Sequence, residues 1–245
     1  ALIGLQSAMQ SADWKKNPNR YIVKKSRELN GQRSDYCPMF VGDDTTMVIS
    51  TSTRKEATGD GLSSVTGQKY ADLFLTKLDE KGKWQKSEKI ESDVNSEFED
   101  GACAFTPDGK VMYFTRCVTD DHYPRFAGIY KSNRSDAAWG KPEQVVISKD
   151  TLSSYAHPAV SPDGNWLYFT SDMAGGYGGL DIWRFYIGTS RAMEGIIENV
   201  GPMVNTEGDE QFPTFGPKGE LFFSSDGYPG MGGLDIMCGT QLNDT

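Results

Sequence analysis

The chain has 245 residues, with 25 Lys and Arg against 34 Asp and Glu for a net charge of −9, and with 27 Gly and 11 Pro. Its 37% hydrophobic and 11% aromatic content supplies a core and excludes a disordered chain, and the length suits one large domain or two small ones, within the range of a single all-β domain. The acidic balance, without any Lys/Arg cluster, excludes a nucleic-acid binder and argues against anionic lipid.

No run reaches the ~18 apolar residues of a membrane span. The opening Ala1–Gln6 lacks the charged and apolar regions of a signal peptide. The expectation is a soluble chain that, if exported, is a processed or excised piece. Cys37, Cys103, Cys117 and Cys238 show neither CxxC nor zinc spacing and read as small buried hydrophobes; an oxidising compartment would permit one disulfide, which spacing does not pair.

In chain order, residues 1–13 read as a short helix or an extended lead-in, and Trp14, Pro18 and Tyr21–Val23 as an outer strand. An inner strand at Tyr36–Phe40, a turn at Gly42-Asp43-Asp44 and a second strand at Thr46–Ile49 form the first hairpin. The polar stretch Thr51–Lys69 reads as an enlarged loop before a third strand at Ala71–Phe74, and Trp84 signals a fourth. The unit then recurs. Pro107-Asp108-Gly109, Pro162-Asp163-Gly164 and Pro217-Lys218-Gly219 lie 55 residues apart, each between two apolar runs. Pro sets φ for a turn and Gly accepts a positive φ, so each is a hairpin. Third strands follow at Ala127–Tyr130, Gly178–Ile182 and Gly232–Ile236, and Trp139 marks another outer strand.

Four strands per unit of this length is the arithmetic of a β-propeller, in which sheets packed around an axis cover the faces that none can cover alone. The expected organisation is all-β: a lead-in and closing strand over residues 1–30, then a propeller over 31–245 with repeats at about 31–94, 95–149, 150–204 and 205–245. The last repeat stops after its third strand, and in a closed ring residues 14–24 would complete it.

The run Ser161-Pro-Asp-Gly-Asn-Trp-Leu-Tyr-Phe-Thr-Ser-Asp172 followed by Gly178-Gly-Leu-Asp-Ile-Trp183 resembles the PD40 group of WD40-like repeats of TolB-type propellers. The doubled Gly-Gly-Leu-Asp-Ile strand is similar to periplasmic propellers of Bacteroidetes OmpA-family lipoproteins. Together with Asn17–Tyr21, Ser34–Tyr36 and Ser153–Gly164, it most resembles the PorE-type component of the type IX secretion system. The resemblance spans residues ~14–238. It implies a periplasmic, outer-membrane-tethered scaffold that binds envelope proteins and reaches peptidoglycan through a domain this chain does not contain. Family propellers have five or six blades against the four counted here, so truncation is expected.

Asp35, Asp100, Tyr155 and Glu210 share one repeat position before the innermost strand, flanked by Glu99 and Asp209, and His157 follows on an inner strand. Such residues either form a partner-binding rim at the channel mouth or cap turns between blades. His157 reads more readily as a buried, hydrogen-bonded ring than as a catalyst. Asp72, Asp181 and Asp235 recur in the third strand and are expected to bond a neighbouring strand or the glycine-rich loop. Tyr177, Tyr228 and Met231 sit in glycine-rich loops that either contact a partner or are plain turns. Those loops precede strands rather than helices, which argues against nucleotide binding. Two histidines, His122 and His157, and no Gly-x-Ser-x-Gly give no catalytic residue, metal site or cofactor. The resulting expectation is a non-enzymatic interaction scaffold, with loops 51–69 and 117–126 as first contacts. The rival is a glycan-binding or glycan-cleaving propeller using paired carboxylates at the channel mouth.

Overall fold

The Pro-x-Gly turns close hairpins as their chemistry dictates. A computed structural model describes residues 2–18, 22, 24–58, 61–62, 67–118, 126–136 and 138–240. In the turns, Gly109, Gly164 and Gly219 have φ of 66°, 72° and 81°, and each donates its N–H back across the turn. Gly42 fills the same slot at φ 60° and lies so near the next hairpin that a Cβ would meet the Gly109 nitrogen at 2.6 Å.

The first sheet runs β1 (Asp35–Val41), β2 (Asp44–Ser52), β3 (Asp72–Lys77), β4 (Glu88–Lys89). The second runs β5 (Glu99–Phe105), β6 (Val111–Val118), β7 (Phe126–Ser135), β8 (Ala138–Trp139), with β9 (Glu143–Gln144) also on β7. The third runs β10 (Tyr155–Val160), β11 (Trp166–Ser171), β12 (Asp181–Tyr186), β13 (Ile197–Asn199). The fourth is β14 (Glu210–Phe215), β15 (Leu221–Ser225) and β16 (Asp235–Gly239). All pairings are antiparallel, and the four sheets form a four-bladed β-propeller.

Alternation along each strand sends one set of side chains forward and the other back. Ile49 and Leu73 meet Met112 and Phe114 between the first and second sheets. Tyr113 and Ile129 meet Leu167 and Phe169 at the next junction, and Ile182 meets Leu221 and Phe223 at the third.

Two expectations shift. The two tryptophans differ: Trp139 lies in β8, the outer strand of its sheet, as expected, whereas Trp84 makes only an isolated bridge to Leu78, and β4 follows several residues later. Trp14 lies not in a strand but in a helix, α1 (Leu2–Lys16), which ends just before Pro18 with Lys15 and Lys16 in its last turn, where cations suit the helix dipole. The helix is tied to the fourth sheet's loop by a 3.0 Å bond from the Gly230 N–H to Ser7 Oγ. Tyr21 and Val23 of the expected outer strand, His122, and most of loop 117–126 lie outside the described residues, as do positions 59–60 and 63–66 of loop 51–69.

Candidate functional site

Each inner strand carries a one-residue bulge at the same place. Pairing jumps from Tyr36 to Met39, Gly101 to Cys103, Ala156 to Ala159 and Gln211 to Thr214. The residue at each jump is left-handed although none is glycine: Cys37 at φ 48°, Ala102 at 44°, His157 at 52° and Phe212 at 53°. Such a conformation costs about 1–3 kcal/mol where it is not imposed. Three of the four precede proline (Pro38, Pro158, Pro213), which disfavours the right-handed helical alternative. At two of the four bulges the preceding sheet catches the freed backbone N–H: Ala102 N donates to Thr51 Oγ1 and His157 N to Thr115 Oγ1, both at 2.9 Å, whereas Thr170 Oγ1, at the same position before Phe212, is without a partner among the described residues.

These four residues converge on one cavity of about 690 Å³ along the propeller axis. Prolines 38, 158 and 213, with Met39, Phe212 and Ile236, give it a largely apolar wall, and Tyr36, Thr53, Gln68, Glu99 and His157 supply the polar groups. The His157 ring stacks on Phe212 with centroids 3.7 Å apart. Burial pulls its imidazole down to about 4, so it is neutral at pH 7. Its Nδ1 has no hydrogen-bond partner among the described residues. Burial pushes the Cys37 thiol up to about 12, and burial reinforced by Glu99 pushes the Tyr36 phenol well above its usual range. Cys37 and His157 therefore hold no thiolate–imidazolium pair at neutral pH.

Of the rim residues named from sequence, Glu99 and His157 line the cavity. The others are turned into the protein. Asp35 accepts from Gly31 N and from Arg54. Asp100, fully buried, accepts from Ser96 N, Ser96 Oγ and Arg116 Nε, and burial still raises its carboxyl to about 6. Glu210 accepts from Thr206 and Ser225. Tyr155 joins the second core and donates its hydroxyl to the Asp150 carbonyl, while Asp209 accepts from Leu180 N at 2.9 Å. These groups are occupied in tying loops to sheets.

The third-strand acids act on the loops before them, as the sequence suggested. Asp181 accepts from Tyr177 N and Gly178 N, Asp235 from Met231 N and Gly232 N, and Asp72 from Thr58. Tyr177 and Met231 are exposed on those loops, whereas Tyr228 packs on Phe223 and donates to the Val204 carbonyl.

Sequence reasoning missed Cys37, Ala102 and Phe212 as channel residues. Their signal was present, since each lies two positions after the repeated acid. Among the described residues no group of three or more His, Cys, Asp or Glu is arranged to hold a metal, and no helix is long and apolar enough to cross a membrane.

No family model matches the sequence, and no curated protein matches it. Solved structures do share the fold. TolB from Acinetobacter baumannii superposes with a TM-score of 0.50 at 18% identity, over 86% of this chain and 42% of that one. The chain thus spans less than half the length of this TolB. An α-L-arabinofuranosidase from Lactobacillus brevis gives 0.51 at 12% identity over 84% of this chain and 71% of that. An endo-arabinase from Bacteroides thetaiotaomicron gives 0.51 at 10% identity over 91% and 80%. At these identities the likeness is one of fold. It also overturns the expectation that the chain is not an enzyme. Propellers of this shape include enzymes named for cleaving arabinose polymers and glycosides, so neither the fold nor a missing sequence motif excludes catalysis.

Proposed function

We propose that the propeller is a protein-interaction module that takes an extended, mainly apolar segment of a partner protein into its axial cavity. The observation behind this reading is the neck itself: four backbone-fixed residues from four sheets around one cavity with largely apolar walls and few polar groups, Glu99 among them. A preorganised wall spares a bound segment part of the ordering cost of association. Glu99 and His157 are the rim residues that face such a segment, and exposed Tyr177 and Met231 extend the contact over the adjoining loops. From the PD40 resemblance we further infer a periplasmic setting within a type IX secretion assembly, linked to peptidoglycan through a separate domain.

The test is affinity capture from detergent-solubilised envelope with the wild-type chain and a Tyr36→Ala/Glu99→Lys variant whose fold is verified by circular dichroism. The expected result is a partner retained by the wild type and lost by the variant. Equal retention by both moves the site away from the cavity. Release of arabinose when the protein is incubated with arabinan would replace the interaction reading with a glycan-cleaving one.

A further inference from the structure

A repeated hydrogen-bond clamp joins neighbouring sheets. Asn95 Oδ1 accepts from Leu73 N at 2.7 Å and Asn95 Nδ2 donates to the Leu73 carbonyl at 3.0 Å. Asn205 does the same to Ile182, at 2.8 Å both ways. In each case the clamped residue follows the third-strand acid, Asp72 or Asp181, and the asparagine stands five positions before the inner-strand acid of the next sheet, Asp100 or Glu210. A second bond accompanies the clamp at both junctions: Asp100 N donates to the Ala71 carbonyl and Glu210 N to the Leu180 carbonyl. At the remaining junction of this ring that starts from a third-strand acid, the same spacing selects Asn30, five before Asp35, and Ile236, next after Asp235.

Asn30 is already set in place. Arg54, paired with Asp35, holds the Leu29 carbonyl at 2.7 Å, just as Arg116, paired with Asp100, holds the Val94 carbonyl at 3.3 Å. Asp35 also accepts from Gly31 N as Asp100 accepts from Ser96 N, each residue directly following its asparagine. What is missing is the other half. Ile236 is 80% exposed where Leu73 and Ile182 are fully buried, and Leu234, the counterpart of Ala71 and Leu180, is 47% exposed. The axial cavity extends into this gap, reaching Ser34, Thr53 and Ile236.

We propose that the seam between the fourth and first sheets is a docking surface for this chain's own Leu29–Asn30 turn, and that the ring has a clamped state in which Asn30 bridges the N–H and carbonyl of Ile236 while Asp35 N donates to the Leu234 carbonyl. The structure described here is the open state of that seam. Closure needs only the approach of two preformed edges, because the turn around Asn30 already has the geometry of its counterparts. It narrows the seam side of the cavity, so a segment seated there holds the ring open. The proposal goes beyond the interaction reading and does not depend on it.

The test is amide hydrogen exchange on the full 245-residue chain, read at Ile236 and Ile182, for the wild type, Asn30→Ala and Asn205→Ala. The clamp predicts that the Ile236 amide is protected in the wild type and loses about tenfold of that protection in Asn30→Ala, with Ile182 unchanged. Asn205→Ala is expected to do the reverse, and it shows what loss of a formed clamp looks like. Ile236→Asp provides an independent readout: the clamped state predicts a lower thermal midpoint because it buries this side chain. An Ile236 amide exchanging at the open-chain rate in the wild type, or an Ile236→Asp variant as stable as the wild type, overturns the proposal. Either result leaves the capture experiment to be decided on its own, so failure of one reading is separable from failure of the other.

Discussion

The junction between the third and fourth sheets and the junction between the fourth and first use the same strand positions, yet only one is sealed. In the sealed one, Tyr168 and Ile182 reach forward to Leu221 and Phe223, Asn205 locks the backbone of Ile182, and His157 stacks on Phe212 at the neck. In the other, the forward residues are Phe222 and Ile236, and the position that holds Phe114, Phe169 and Phe223 in the other sheets is occupied by Ser50. Phe40, the counterpart of buried Phe105, is 47% exposed. The contrast teaches that an identical strand order does not make an identical interface. One aromatic position per sheet distinguishes the packed junctions from the open one, and a buried phenyl ring contributes a large apolar area to two facing sheets.

The largest test of that contrast is Phe223→Ala. It removes a buried ring from the sealed junction and is expected to cost about 3–5 kcal/mol in chemical denaturation. Next comes acidity. Because the His157 imidazole sits at about 4 in the fold against an ordinary 6.5, the native state binds fewer protons than the unfolded chain between those values. Its contribution is complete above pH 6.5 and is lost as pH falls toward 4, by roughly 3 kcal/mol at most. Stability measured across that window is expected to flatten on the acid side in His157→Gln. Raised to about 6, the Asp100 carboxyl works in the opposite direction, losing stability as pH rises through that value, so the two slopes partly cancel in the wild type. Asn205→Ala leaves the Ile182 N–H and carbonyl without their partner and is expected to cost about 1–3 kcal/mol. The smallest effect has the opposite sign. Ser50 Oγ is buried without a partner among the described residues, so Ser50→Ala is expected to raise the melting midpoint by the equivalent of about 0.5–1 kcal/mol. A cost instead would mean that the hydroxyl is satisfied in solution, and with it the open seam would be in question.

The strand plan was legible because turns and repeats are local. Pro-Asp-Gly specifies a hairpin within a few residues, and a 55-residue period needs no knowledge of packing. The outer strand at Trp139 was found, but the one at Trp84 and the strand expected at Trp14 were misplaced, because tryptophan signals burial near a sheet edge, whereas a strand such as β4 is set by backbone pairing to a strand distant in sequence. Which of the repeated acids face the channel and which cap turns was not legible for a related reason. Asp35, Asp100 and Glu210 were recognised as equivalent, but their direction depends on Arg54, Arg116, Thr206 and Ser225, partners visible only after folding. Glu99 and His157 reach the cavity, while Cys37, Ala102 and Phe212, which share its neck, carry no common chemistry that a reader of side chains would notice.

That dissimilarity of the neck residues has a consequence of its own. The inward turn at these four positions belongs to the bulge and, at three of them, to the proline that follows, so a thiol, a methyl, an imidazole and a phenyl all occupy the same geometry. Bore and lining are therefore separable. The aperture works like a fixed chuck with exchangeable jaws, in which selectivity can be re-cut one residue at a time while the mounting stays the same.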